Sequence, residues 1–171
     1  VLALPDLSGV IVEWEKSEKE TLSAEFFFDR YSGDWNALLR ALFSDDIKKV
    51  SHNVKDLQRT LLENGLPIEG FVFDTALAGY LLDATAGKYD IASLFSAYFH
   101  QTLAEPKHLV PEAFSMLGDT AAAETAFHIY TSAVGALYEA FAPMIEQREL
   151  HELYYEVELP LCAVLARMEH T

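Results

Sequence analysis

The sequence predicts a single α/β domain on three observations: short β-branched and aromatic runs at its start, strand and helix patterns in alternation after residue 44, and two long amphipathic helical patterns at its end. A chain of 171 residues, 51% of them hydrophobic, is long enough to bury one full core and short for two. Residues 1–148 are expected to form the domain and residues 149–171 a helix leading out of it.

Residues 1–4, 10–14 and 24–28 read as strands, separated by the turn signal at Ser8-Gly9 and the charged stretch 15–20, and together predict an antiparallel meander. Asp34 is placed to cap a helix in which Trp35, Leu38, Leu39, Leu42 and Phe43 recur at helical spacing. A strand over 48–52 and a helix over 54–64 follow, the latter closed by Gly65, so the order is βββαβα. Residues 67–72 predict a connector or short strand. Asp74 then caps a helix over 75–82, Gly87 breaks it, and Asp90 caps another over 91–99. Residues 100–117 carry Pro106 and Pro111 and predict irregular structure. From 119 to 146 apolar residues recur every three or four positions, with Pro143 expected to bend or end the helix early, and residues 149–168 repeat the pattern with a kink at Pro160.

Net charge is −15, from 27 acidic against 12 basic residues, the wrong sign for neutralising phosphates and an argument against autonomous DNA binding. No apolar run of about 18 residues and no signal-like amino terminus occurs, so no membrane partner is expected. The one cysteine, Cys162, has no internal partner and lies in an apolar run, where a free thiol behaves as a small hydrophobe; a reducing cytoplasm fits that usage. The final segment stops in mid-pattern, so the chain is expected to be cut from a longer polypeptide.

Three stretches resemble family A bacterial DNA polymerases of the polymerase I type, in that family's order. Val50-Ser-His-Asn-Val-Lys-Asp-Leu-Gln is similar to its second exonuclease motif, NxKxD. Phe71-Val-Phe-Asp-Thr-Ala-Leu-Ala-Gly-Tyr-Leu-Leu-Asp with Ala86-Gly-Lys-Tyr-Asp-Ile-Ala-Ser-Leu is the strongest match. Glu156-Val-Glu-Leu-Pro-Leu-Cys-Ala-Val-Leu-Ala-Arg-Met-Glu resembles the helix at which the polymerase domain begins. The resemblance implies an RNase H-like (DnaQ-like exonuclease) α/β fold with a mixed central sheet and flanking helices. It also implies that residues 149–171 lead into a polymerase domain of the same chain, which would be this domain's partner and its route to DNA.

Removal of a 3′ nucleotide requires several carboxylates around a pair of Mg²⁺ or Mn²⁺ ions, because hard cations take oxygen ligands. The family draws these from three motifs, and this sequence departs from each. In the opening Asp-x-Glu only Asp6 is a remnant, and the Glu position reads Leu7 or Ser8 depending on register. In the second motif Asn53 is kept, but the ligand position is Leu57; Asp56 lies beside it, about 100° around the helix and so misdirected. In the third, Tyr-x-x-x-Asp reads Thr120-Ala-Ala-Ala-Glu124. Asp6, Asp56 and Glu124 are the residual metal candidates, and the expectation is a vestigial, non-catalytic exonuclease-like domain without a cofactor.

Plainer roles compete at several positions. Asn53 is expected to cap the helix that starts at residue 54, Asp74 to cap rather than to ligate, and Glu124 to be a solvated helix residue. The group Phe26, Phe27, Phe28 and Tyr31 lacks interleaved Lys or Arg and is expected to be core and sheet face rather than a base-stacking platform. His151-Glu-Leu-Tyr-Tyr155 lacks the second histidine of a zinc motif, and no two histidines are four apart. Two rival functions remain: an active exonuclease using Asp6, Asp56 and Glu124 with Mg²⁺ or Mn²⁺, and a free-standing acidic protein-interaction domain.

Overall fold

A computed structural model describes residues 1–103 and 120–170. The expected meander is present. β1 (Leu2–Ala3) pairs antiparallel with β2 (Gly9–Ser17), which pairs antiparallel with β3 (Glu20–Phe27) in a register from Gly9 opposite Phe27 to Ser17 opposite Glu20. The charged stretch expected to separate two strands instead extends both of them. Its side chains point into solvent on both faces of a projecting hairpin, so charge carries no cost there.

α1 (Trp35–Leu42) follows, with the Asp34 carboxylate accepting from the Ala37 amide at 3.2 Å. β4 (Lys49–Ser51) runs parallel to β5 (Phe71–Asp74), with α2 (Val54–Glu63) as the crossover between them. The Val1 nitrogen donates to the Val50 carbonyl at 2.8 Å, and the Ser51 hydroxyl donates to the Val1 carbonyl at 3.1 Å. These bonds tie the residue before β1 to β4; the expected mixed central sheet is divided into a three-stranded antiparallel sheet, β1-β2-β3, and a two-stranded parallel one, β4-β5, because no ladder joins β1 to β4.

α3 (Thr75–Leu82) and α4 (Ile91–Phe99) follow with Asp74 and Asp90 as caps, as expected. α5 (Thr120–Gln147) runs through Pro143 instead of ending at it. Pro143 and Glu139 are both on the exposed side of the helix, where the carbonyl deprived of a partner is open to water. The irregular structure expected over 100–117 falls mostly outside the described residues. Before Pro160 the chain widens into a π-helical stretch, Glu152–Glu158, in which the Leu159 amide reaches back to the Tyr154 carbonyl; α6 (Leu159–His170) completes the chain. The widened turn absorbs the amide that proline lacks.

Alternation along β2 gives the sheet a core on each face. Ile11 faces a cluster with Phe73, Phe127, Val134, Leu137 and Phe141, built by α3, α4 and α5. Val10 faces a smaller one with Leu39, Phe43, Leu61, Leu66 and Ile68, built by α1, α2 and the chain after it. Lys49, 2% exposed, also points to this side: its ammonium donates to the Ser44 and Ile47 carbonyls at 2.9 and 2.6 Å, and burial pushes it down to about 8. Gly70 closes over it at φ 80, where a Cβ would stand 2.5 Å from the Ile47 oxygen. The aromatic group expected in the core divides. Phe27 is buried and Phe26 and Tyr31 half-buried, but Phe28, just past the end of β3, is 63% exposed.

Candidate functional site

The residues of the first two motifs meet in one cleft of about 280 Å³. β1 and the turn Pro5–Leu7 form one wall, Ser51, His52 and Asn53 the inner end, and Asp56, Leu57 and Thr60 of α2 the other wall, with Ile91 at its edge. The turn carries two successive left-handed residues, Asp6 at φ 57 and Leu7 at φ 54. Leu7 is buried in the smaller core, and that anchor holds Asp6 out into solvent at the mouth.

α2 starts at a third left-handed residue, Asn53 at φ 60, whose side chain makes no cap. The capping role expected of Asn53 belongs to Asp74. Its carboxylate accepts from the Asn53 and Val54 amides at 3.0 and 3.1 Å and from the Ala76 and Leu77 amides at 3.0 and 3.4 Å. One buried carboxylate therefore satisfies the free amides of two helices, α2 and α3. Burial pushes its pKa up from the usual carboxylate value, and the four amide donors pull against that. Nothing local in the sequence marks this second role, because Asp74 lies 21 residues from Asn53.

Two further groups, buried Tyr154 and half-buried His52, fix this corner. The Tyr154 hydroxyl accepts from the Asp74 amide at 2.7 Å and donates to the Asp74 carbonyl at 2.8 Å, and so supplies β5 with both bonds of a missing neighbour strand. Burial raises its phenol well above the usual range. The His52 Nδ1 lies 2.8 Å from the Thr75 hydroxyl, and burial pushes the ring down to about 4, so it is neutral at pH 7. Its Nε2 is enclosed with no hydrogen-bond partner among the described residues.

Of the third motif, Glu124 does not line the cleft. Thr120 opens α5, and its side chain lies outside the described part of the chain. Glu124 is half-buried and holds Arg30, beyond the end of β3, at 2.7 Å; it is therefore an ion-pairing residue rather than the solvated one expected. Asp6 and Asp56, both exposed, are the carboxylates lining the cleft, and Leu57 is half-buried against the smaller core. Among the described residues no three His, Cys, Asp or Glu side chains come together as a metal site. A pair of hard divalent ions takes more oxygen ligands than Asp6 and Asp56 present, so the described lining of this cleft does not fit them. The basic residues of α2 turn away: Lys55 and Arg59 reach Glu169 of α6 at 3.0 and 3.6 Å.

The sequence model of the family described as DNA polymerase I, ribonuclease H-like domain, matches residues 21–108. The chain is 31% identical over 138 residues to a DNA polymerase I of Chloroflexus aurantiacus and 28% identical over 134 residues to one of Geobacillus stearothermophilus. Each match covers 72% of this chain, and the chain spans 14% of each relative's length. Among solved structures, a POL domain of Pol1 from M. smegmatis, in complex with DNA primer-template and dNTP, superposes with a TM-score of 0.69 over 86% of this chain and 23% of that one, at 23% identity. The likeness is one of fold. The chain belongs to the DNA polymerase I ribonuclease H-like domain family.

Proposed function

We propose that this chain is a non-catalytic, exonuclease-like structural domain of a DNA polymerase I that acts in replication and repair. The observation that carries this reading is Leu57: at the position where the motif calls for a carboxylate, an aliphatic side chain packs into the smaller core. Glu124, paired with Arg30 away from the cleft, adds to it. Asp6 and Asp56 alone give too few oxygens to hold a pair of divalent ions, so the domain works without a cofactor. Its partner is the polymerase domain of the same protein, reached through residues 149–171, and DNA is bound by that larger protein rather than by this acidic surface. The compartment is the cytoplasm; among the described residues no helix is long and apolar enough to cross a membrane.

One observation favours a second reading, an active exonuclease with altered ligands: Asp6 and Asp56 do line the same cleft. A 3′-labelled single-stranded oligonucleotide incubated with the chain and Mn²⁺ separates the two. The structural reading predicts no nucleotide release above a metal-free control. Release that is lost in Asp6→Ala or Glu124→Ala overturns it.

A further inference from the structure

Next to the cleft, across the turn Pro5–Leu7, lies a groove of about 460 Å³ whose lining includes Phe28, Trp35, Leu39 and Leu66, with Asp6, Asp34, Asn36 and Asn64 on its polar rim. We propose that this groove docks an extended, cationic peptide segment. The proposal is independent of whether the neighbouring cleft hydrolyses DNA.

The aromatic wall is rigid and open. Phe28 is 63% exposed, packs edge-on against Trp35 at 6.0 Å, and Trp35 packs in turn against Tyr31 at 5.8 Å. Such rings present a large apolar surface at small entropic cost, which is how aromatic anchors at binding faces work. Sign of charge selects the partner. Asp6 and Asp34 face the groove, Asp56 faces the adjoining cleft, and neither is lined by Lys or Arg. Cations on the flanking elements are engaged elsewhere: Arg30 pairs with Glu124 at 2.7 Å, Arg40 donates to the Gly65 carbonyl at 3.2 Å, and Lys55 and Arg59 pair with Glu169. A phosphate backbone would meet three carboxylates and no counter-charge, whereas Lys or Arg side chains would meet matched partners.

The rim selects the conformation. Asn36 and Asn64 carry amides that both donate and accept, which a main chain already bonded to itself in a helix does not need. An aromatic wall beside hydrogen-bonding side chains is the arrangement that seats a polyproline II segment, whose backbone groups are free.

Fluorescence anisotropy tests this with a labelled peptide of about ten residues alternating Pro and Arg, three turns of polyproline II. A Pro–Glu peptide and a thymidine oligonucleotide of equal length are run in parallel. The expected result is saturable binding of the Pro–Arg peptide with a Kd on the order of 10 μM, and the other two at least about tenfold weaker. Phe28→Ala and Asp6→Asn, both at exposed positions, should each weaken it about five- to tenfold with an unchanged thermal melt, while Trp14→Ala on the distant hairpin leaves it unaltered. No saturation by about 1 mM, equal weakening by Trp14→Ala, or indifference to Phe28→Ala overturns the proposal. Equal or tighter binding of the oligonucleotide overturns it in favour of a nucleic-acid surface.

Discussion

Asp74 and Asp56 stand on opposite sides of the start of α2 and are used in opposite ways. Asp74 is 3% exposed, accepts from four backbone amides, and has its own amide and carbonyl both held by Tyr154. Asp56 is exposed on the cleft wall, one position from the aliphatic Leu57. The carboxylate that holds two helices together is fully built into the protein, and the one that faces a would-be reaction is not.

The contrast is sharpest in stability. Asp74→Ala strands two buried and two half-buried amides at two helix starts and should cost about 3 kcal/mol in urea unfolding, with Asp74→Asn, which keeps one acceptor oxygen, losing about half of that. A loss no larger than that of one exposed cap would break the account of a double cap.

His52 ranks next. Its ring is held neutral with a folded value of about 4 against an ordinary 6.5, so the unfolded chain binds the proton first as pH falls. The stability this group contributes is complete above about 6.5, and about 2–3 kcal/mol is lost as pH falls from 6.5 to 4. Stability curves of the wild type and His52→Gln should converge in slope only outside that window. Tyr154→Phe removes the two bonds on the free edge of β5 and should cost about 1–2 kcal/mol. Asp56→Ala should change stability by less than about 0.5 kcal/mol, as at an ordinary surface position.

The parts of this structure legible in the sequence are those whose cause is local. Asp34, Asp74 and Asp90 cap the helices that begin within three residues of them, and Gly65 at φ 68 ends α2, so those elements and their order follow from spacing alone. What escaped depends on distant neighbours. Asn53 looks like a cap, but a left-handed backbone points its amide at a carboxylate 21 residues away. The strand pattern over 48–52 does not show that the Lys49 ammonium is buried, because the Ser44 and Ile47 carbonyls that hold it are set by the loop before the strand. Phe28 reads as core because its neighbours are. Its exposure follows from where β3 ends, a boundary that composition does not mark. At the cleft, Leu57 was legible as a missing ligand, whereas the pairing of Glu124 with Arg30, 94 residues apart in sequence, was not.

A calorimetric titration of the chain with Mn²⁺ asks whether the cleft still holds metal. The account predicts no saturable heat below the millimolar range and no change on Asp6→Asn. Two-site binding at micromolar Mn²⁺, weakened by Asp6→Asn and by Glu124→Gln, would contradict it.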